Sequence, residues 1–297
     1  MLLVKTNKKG TTTMLGTKMI RNALIAAACT FTVLGAMPEA DAGRGGSPGV
    51  IRSAIRSNNA DAIISALEQS ENIPCNSDCM TMVMDLLDND DYRIRQVASW
   101  WFARRPAQMK EVAELATAWL TTGTSVDARN GADILGTFGY AKHIATLTTA
   151  AQKSGLDAPA RAAIVKALGD IANMSANSVV ANAMTDSDAT VRLSAVTAWK
   201  NMLKQTTAEP VVALVNDGDV QVRRTAISTV GKFRTAEARV ALEAILATDT
   251  DSAARRNAAW ALGRIGDAES RDALRAATND ASSLVRTTAK VAMGKLR

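Results

Sequence analysis

The chain has 297 residues, of which 47% are hydrophobic and 22% charged, with 35 lysines and arginines against 29 aspartates and glutamates and a formal charge of +6. A single histidine leaves a multi-histidine metal centre without ligands, and no Gly-x-Ser-x-Gly, Gly-x-x-x-x-Gly-Lys or His-Glu-x-x-His motif is present. Composition and motifs together point away from an enzyme.

Residues 1–42 read as an export signal. Lys18 and Arg21 supply its positive start, Ala23 to Leu34 its apolar core, and Ala40-Asp41-Ala42 a small-x-small cleavage site ahead of Gly43. The apolar run is short for a membrane span and is broken by Gly35 and Pro38. A buried N-terminal helix is the bland alternative. A lipid-attached Cys29 is a weaker one, because the apolar run continues past it through Phe31, Val33 and Leu34. Met14 and Met19 are alternative starts. The expectation is an exported chain, periplasmic or extracellular, with no membrane span in its mature part. Losing residues 1–42 removes five basic and two acidic residues, so the charge falls to +3 and the whole-chain basicity says little about nucleic acid.

Residues 43–49 read as a flexible, Gly-rich leader and residues 50–74 as an N-terminal helical cap. Two apolar-periodic pieces in that cap, Val50 to Ile55 and Ala62 to Leu67, flank Asn58 and Asn59. Cys75 and Cys79 are the cysteines left after processing, and an even pair in an exported chain points to a disulfide. Free buried thiols are the alternative, and the spacing is not that of a Cys-x-x-Cys redox or metal pair. A loop this small makes a local staple rather than a major source of stability.

From residue 75 to residue 297 the chain repeats one phrase, clearest in Asp217 to Phe233. Counted from Arg223, apolar or small residues fall at Val222, Ala226, Ile227, Val230, Gly231 and Phe233, which is helical spacing, and Asp219 suits the N-cap. The same register recurs around Arg95, Ala128, Arg161, Arg192, Arg255 and Arg286. The anchors at 161, 192, 223, 255 and 286 lie 31, 31, 32 and 31 residues apart. Between copies sits a second amphipathic stretch, such as Glu237 to Ala247, or Glu209 to Val215 with Pro210 in its first turn. Each unit is therefore two helices, and none can bury its apolar face without the next. Lys290, Lys295 and Arg297 are expected to give the last helix a polar face.

An Asp-x-x-Val-Arg-x-x-Ala-x-x-x-Leu-Gly phrase on the second helix of such a unit resembles the HEAT repeat family, specifically the short type named after phycobilisome lyases. The resemblance covers residues 75–297. It implies an all-α, right-handed α-solenoid of about seven helix pairs with ~31 residues per repeat. In that family the arginine of each unit bonds aspartates and carbonyls between neighbouring turns. A structural ladder is thus implied for Arg95, Arg161, Arg192, Arg223, Arg255 and Arg286, with Asp91, Asp157, Asp188, Asp219 and Asp251 in register to accept; ligand contact is the alternative. One enzyme with HEAT-type repeats, deoxyhypusine hydroxylase, holds a di-iron centre through His-Glu pairs, and no such pair exists here.

The resemblance further implies that the second helices line the inner curve, where partners dock. Positions one and nine after the arginine carry Arg224, Lys232, Arg256, Arg264 and Lys295, with Arg104 in the first repeat. These make a basic strip over the last three units, set against possible neutralisation by Glu237, Glu243, Asp249 and Asp267. Trp100 and Trp260 occupy position five, off the core stripe, either as exposed anchors or packed on the adjacent repeat. Trp119 and Trp199 fall on apolar stripes, and His143 is expected at the surface or as a cap.

The functional expectation is a non-catalytic protein interaction scaffold or adaptor in the cell envelope. It would bind an acidic protein or peptide on its concave face through Arg224, Lys232, Arg256, Arg264, Trp260 and Trp100, with no cofactor, metal or nucleic acid. The alternatives are a nucleic-acid-binding HEAT-like protein and an accessory protein of the phycobilisome-lyase type.

Overall fold

The structure is a computed structural model and describes residues 47–296. The export signal and residues 43–46 of the leader lie outside the described residues. Ser47 caps helix α1 (Pro48–Arg56) by accepting the Val50 N–H, with Pro48 where its missing N–H is harmless, so the helix begins inside the stretch read as leader. Helix α2 (Ala60–Gln69) follows a turn at Asn58, whose φ is 51°, and is capped by Asn59. These two form the N-terminal cap.

Seven helix pairs then stack. They are α3 (Ser77–Asp85) with α4 (Tyr92–Ala103), α5 (Pro106–Thr122) with α6 (Ser125–Phe138), and α7 (Ile144–Ala151) with α8 (Ala158–Ile171). Next come α9 (Asn177–Ala183) with α10 (Ala189–Asn201), and a 3₁₀ segment (Glu209–Asn216) with α11 (Val220–Phe233). The last two are α12 (Arg239–Thr248) with α13 (Ser252–Ile265) and α14 (Arg271–Ala277) with α15 (Ser283–Met293). Glu209 to Val215, expected as an α-helix, winds as the tighter 3₁₀ form. Cys75 and Cys79 are joined by a disulfide with Cα atoms 5.6 Å apart, at the start of α3, where Asn76 is the cap.

Each second helix starts on an aspartate wherever the phrase has one. Asp91, Asp157, Asp188, Asp219 and Asp251 all accept a backbone N–H from the first turn of their own helix. Packing between second helices uses a small-residue contact. A Cβ on Gly169 would lie 2.5 Å from the Ala198 Cβ, one on Gly263 2.7 Å from that of Ala292, and one on Gly136 2.9 Å from that of Ala167. Glycine at position eight lets the next helix press its alanine against bare backbone. The second helices therefore pack more closely on one another than the first helices do, as expected of a stack with the second-helix row on its inner side.

The repeating arginine forms a ladder. Arg161, Arg192 and Arg255 each hold a carboxylate through Nε and Nη2, those of Asp186 (2.7 and 2.8 Å), Asp217 (2.6 and 2.8 Å) and Asp280 (2.7 and 2.9 Å). Arg223 reaches Asp249 through Nε at 2.9 Å. The acceptors are therefore not the N-cap aspartates the spacing suggested. They are the aspartates two residues earlier, in the turn of the following unit. The turn carboxylate is the one that reaches the preceding unit's arginine, and it does so while also accepting the backbone N–H two residues on. The turn aspartate also offers its backbone carbonyl to the next arginine: Asp186 to Arg192, Asp217 to Arg223, Asp249 to Arg255 and Asp280 to Arg286. One residue so ties together the arginines of two consecutive units. The arginine bonds hold the Asp186, Asp217 and Asp280 carboxyls below their ordinary value.

The first rung differs. Ala128 stands where α6 should carry an arginine and no aspartate precedes that helix, so Arg95 reaches to Asp133, inside α6, at 2.7 Å with both side chains buried. Arg95 also donates to the carbonyls of Asn89 and Asp90.

Candidate functional site

The inner face is the side of the second helices opposite the core, carrying positions one, five and nine of each unit. In the early units the charges at those positions are neutralised in pairs. Lys166 pairs with Asp170, Asp133 with Arg95, and Arg104 with Glu71 at 3.3 Å. The last three second helices contrast with them. Like α4 and α10, helices α11, α13 and α15 contain no acidic residue, but α11 and α13 add Arg224, Lys232, Arg256 and Arg264 at positions one and nine.

The six residues singled out in the sequence behave differently. Arg224 does not belong to a free strip. It grips the Asp251 carboxylate with Nε and Nη2, both at 2.6 Å, and pulls that carboxyl well below its ordinary value. Position one faces the following unit, which is why Arg224 is spent on packing. Lys232, Arg256 and Arg264 have no carboxylate partner among the described residues. Lys232 donates to the Lys200 carbonyl at 2.6 Å, which fixes its stem and leaves its charge uncompensated, and Arg256 touches only the Asn257 amide oxygen. Arg264 lies 5.9 Å from the Trp260 ring, and its buried Nε has no acceptor. Three of the four acidic residues considered as neutralisers are engaged elsewhere, Glu243 and Asp267 with Arg239 and Asp249 with Arg223.

Trp260 is 38% exposed although its ring edge rests on α11, where a Cβ on Gly231 would meet ring atom Cζ3 at 2.5 Å. Both readings of this residue thus hold at once: it packs on the adjacent repeat and still shows a face to solvent. Trp100 is half-buried, with the Arg104 guanidinium 4.9 Å from its ring. Trp100 and Trp260 stand at opposite ends of the stack and form no common site. Trp101 and Trp199 are buried and Trp119 partly so.

Sequence reasoning missed two residues. Leu284 and Val291 are 60% and 56% exposed on α15, the helix for which only a polar face from Lys290, Lys295 and Arg297 was expected. Val291 sits at position five, equivalent to Trp260, so the register itself carried the signal. Val240, counted with the apolar stripe of its helix, is exposed as well.

His143 is buried, contrary to the expectation of a surface or cap position, because its 3₁₀ turn folds inward ahead of α7. Its Nε2 finds no partner, and burial, reinforced by Lys142, lowers its pKa from the ordinary 6.5. Below that value the unfolded chain takes up a proton more readily than the folded one, so stability should fall between pH 7 and 5. His143→Gln should flatten that slope in urea melts, and an unchanged slope would show that carboxylates set it. Among the described residues no group of three or more histidine, cysteine or acidic side chains is placed to hold a metal, and no helix is long and apolar enough to cross a membrane.

Stacked helix pairs tied by an arginine ladder define an α-solenoid of the repeat-protein class. Within it, residues 208–294 match the family model of HEAT repeats. The fold is similar to that of the Escherichia coli protein YibA, at 14% identity and TM-score 0.55 over 99% of both chains. It is also similar to importin beta, at 14% identity and TM-score 0.57, over 95% of this chain and 49% of that one. The CpcE and CpcF complex of phycocyanin lyase from Nostoc aligns over 90% of this chain and 100% of that chain at 14% identity, but its TM-score of 0.39 is too low to bear on function. No curated protein matches the chain.

Proposed function

We propose that this protein is a non-catalytic interaction module of the cell envelope that binds an acidic protein or peptide on the inner face of its last three units. The observation that carries the reading is the charge of that face: three adjacent helices without an acidic residue, presenting Lys232, Arg256 and Arg264 uncompensated. HEAT-type repeats suit such a role because a preformed curved surface docks a partner with little ordering cost. Location in the envelope rests on the signal-like residues 1–42.

The test is crosslinking in intact cells with the chain tagged after Arg297, parent against a Lys232→Ser, Arg256→Ser, Arg264→Ser variant. Arg224 is left alone because its loss would disturb the Asp251 cap. An acidic envelope protein captured by the parent should be lost by about tenfold or more in the variant, with weaker salt dependence. Capture of the same set by both, or tight duplex DNA binding that collapses with added salt, would overturn the reading.

A further inference from the structure

Building on that reading, we infer that the partner segment is not merely acidic but amphipathic: an extended stretch that sets an apolar side chain against Trp260, Leu284 and Val291 while its flanking carboxylates meet Lys232, Arg264 and Lys295. A purely electrostatic site does not need three exposed apolar side chains, and these three lie on one face of two adjacent helices. Trp260 is held in place by its seat on Gly231, so its free face is presented already ordered. A rigid aromatic anchor within a cationic surround is the arrangement that concentrates binding energy in one pocket.

Charge complementarity fixes the rest. The Arg264 guanidinium lies 5.9 Å from the indole ring with no carboxylate partner among the described residues, and a carboxylate arriving next to the apolar anchor offers it one. Lys295 has no carboxylate partner among the described residues, so cations frame the apolar patch on both sides. Second helices spaced by roughly 10 Å make a three-helix platform about 20–30 Å across, which an extended segment of roughly seven to nine residues spans. The early units offer no such platform, because the charges at positions five and nine are closed in pairs, Lys166 with Asp170, Asp133 with the ladder arginine Arg95, and Arg104 with Glu71.

The test is selection of random twelve-residue displayed peptides on the full protein, followed by titration of the best synthetic peptide and of a single-stranded oligothymidine. Enriched peptides should carry at least two carboxylates flanking a large apolar residue. Trp260→Ala should weaken the chosen peptide by about tenfold or more. Leu284→Glu and Val291→Glu, at exposed positions that tolerate the change, should weaken it similarly by placing negative charge under an acidic ligand. If the Lys232, Arg256 and Arg264 variant loses binding while these three do not, the acidic-partner reading stands and the amphipathic one falls. Peptides that bind all variants equally, no enrichment at all, or oligothymidine binding tighter than any peptide would overturn both.

Discussion

Gly169→Ala is expected to destabilise the protein by about 2–4 kcal/mol, a large effect for one methyl group. The added Cβ would stand 2.5 Å from the Ala198 Cβ and 2.6 Å from its Cα. Neither atom belongs to a flexible side chain, so relief comes only by moving α8 and α10 apart. That separation would lengthen the Arg161 to Asp186 rung and expose the apolar faces between the two units. Gly294 is the internal control. It holds the same position eight in the last unit, but a Cβ there meets nothing nearer than the Val291 carbonyl at 3.5 Å, and its backbone is right-handed helical, with φ at −68°. Gly294→Ala should therefore be neutral or stabilising by up to about 1 kcal/mol, through the unfolded chain. Because stacked repeats can unfold in segments, urea melts should be read beside amide exchange of α8 and α10. Equal melts for Gly169→Ala and the parent would mean that the close approach contributes nothing to the stack.

The architecture was legible because one phrase recurs seven times and most copies repeat the same physical instructions: a capping aspartate, a core stripe and a small residue for close stacking. What the ladder bonds to was not. The doublets Asp186 and Asp188, Asp217 and Asp219, and Asp249 and Asp251 each offer two carboxylates two residues apart, and spacing alone does not say which one faces the preceding unit. Only the three-dimensional turn separates cap from acceptor. Asp280, whose companion is Ser282, is the copy that reveals the answer, since there the ladder acceptor remains while Ser282 makes no side-chain cap bond. Arg224 escaped for a related reason. Its partner lies 27 residues away in the next unit, and a position that looks solvent-facing on one isolated helix is an interface position in a stack. Trp260 was readable only as a pair of alternatives, because a ring of that size can seat its edge on Gly231 and still leave a face open. Leu284 and Val291 went unseen because only their charged neighbours were weighed.

Breaking the buried first rung from either side should destabilise the protein by about 3–5 kcal/mol, but with different responses to pH. Asp133→Ala leaves the buried Arg95 guanidinium with its Nη1 bonds to the Asn89 and Asp90 carbonyls and nothing for Nε and Nη2. An arginine does not shed its charge, so that deficit should persist from pH 8 to pH 5. Arg95→Met instead leaves a buried carboxyl, and a carboxyl can take a proton. Burial already pushes Asp133 above its ordinary value, despite the Arg95 bonds and the nearby Lys166 and Arg129. Without Arg95 its folded pKa must rise further, so the folded protein gains protons relative to the unfolded one as pH falls, and the deficit should shrink toward pH 5. The double variant Arg95→Met, Asp133→Leu removes both charges from the core and should recover most of the lost stability, because two matched apolar side chains need no desolvated partners. A deficit independent of pH in Arg95→Met, or a double variant no better than the singles, would show that Asp133 remains charged through contacts with Lys166 and Arg129. The first unit would then be held by a network rather than by one pair.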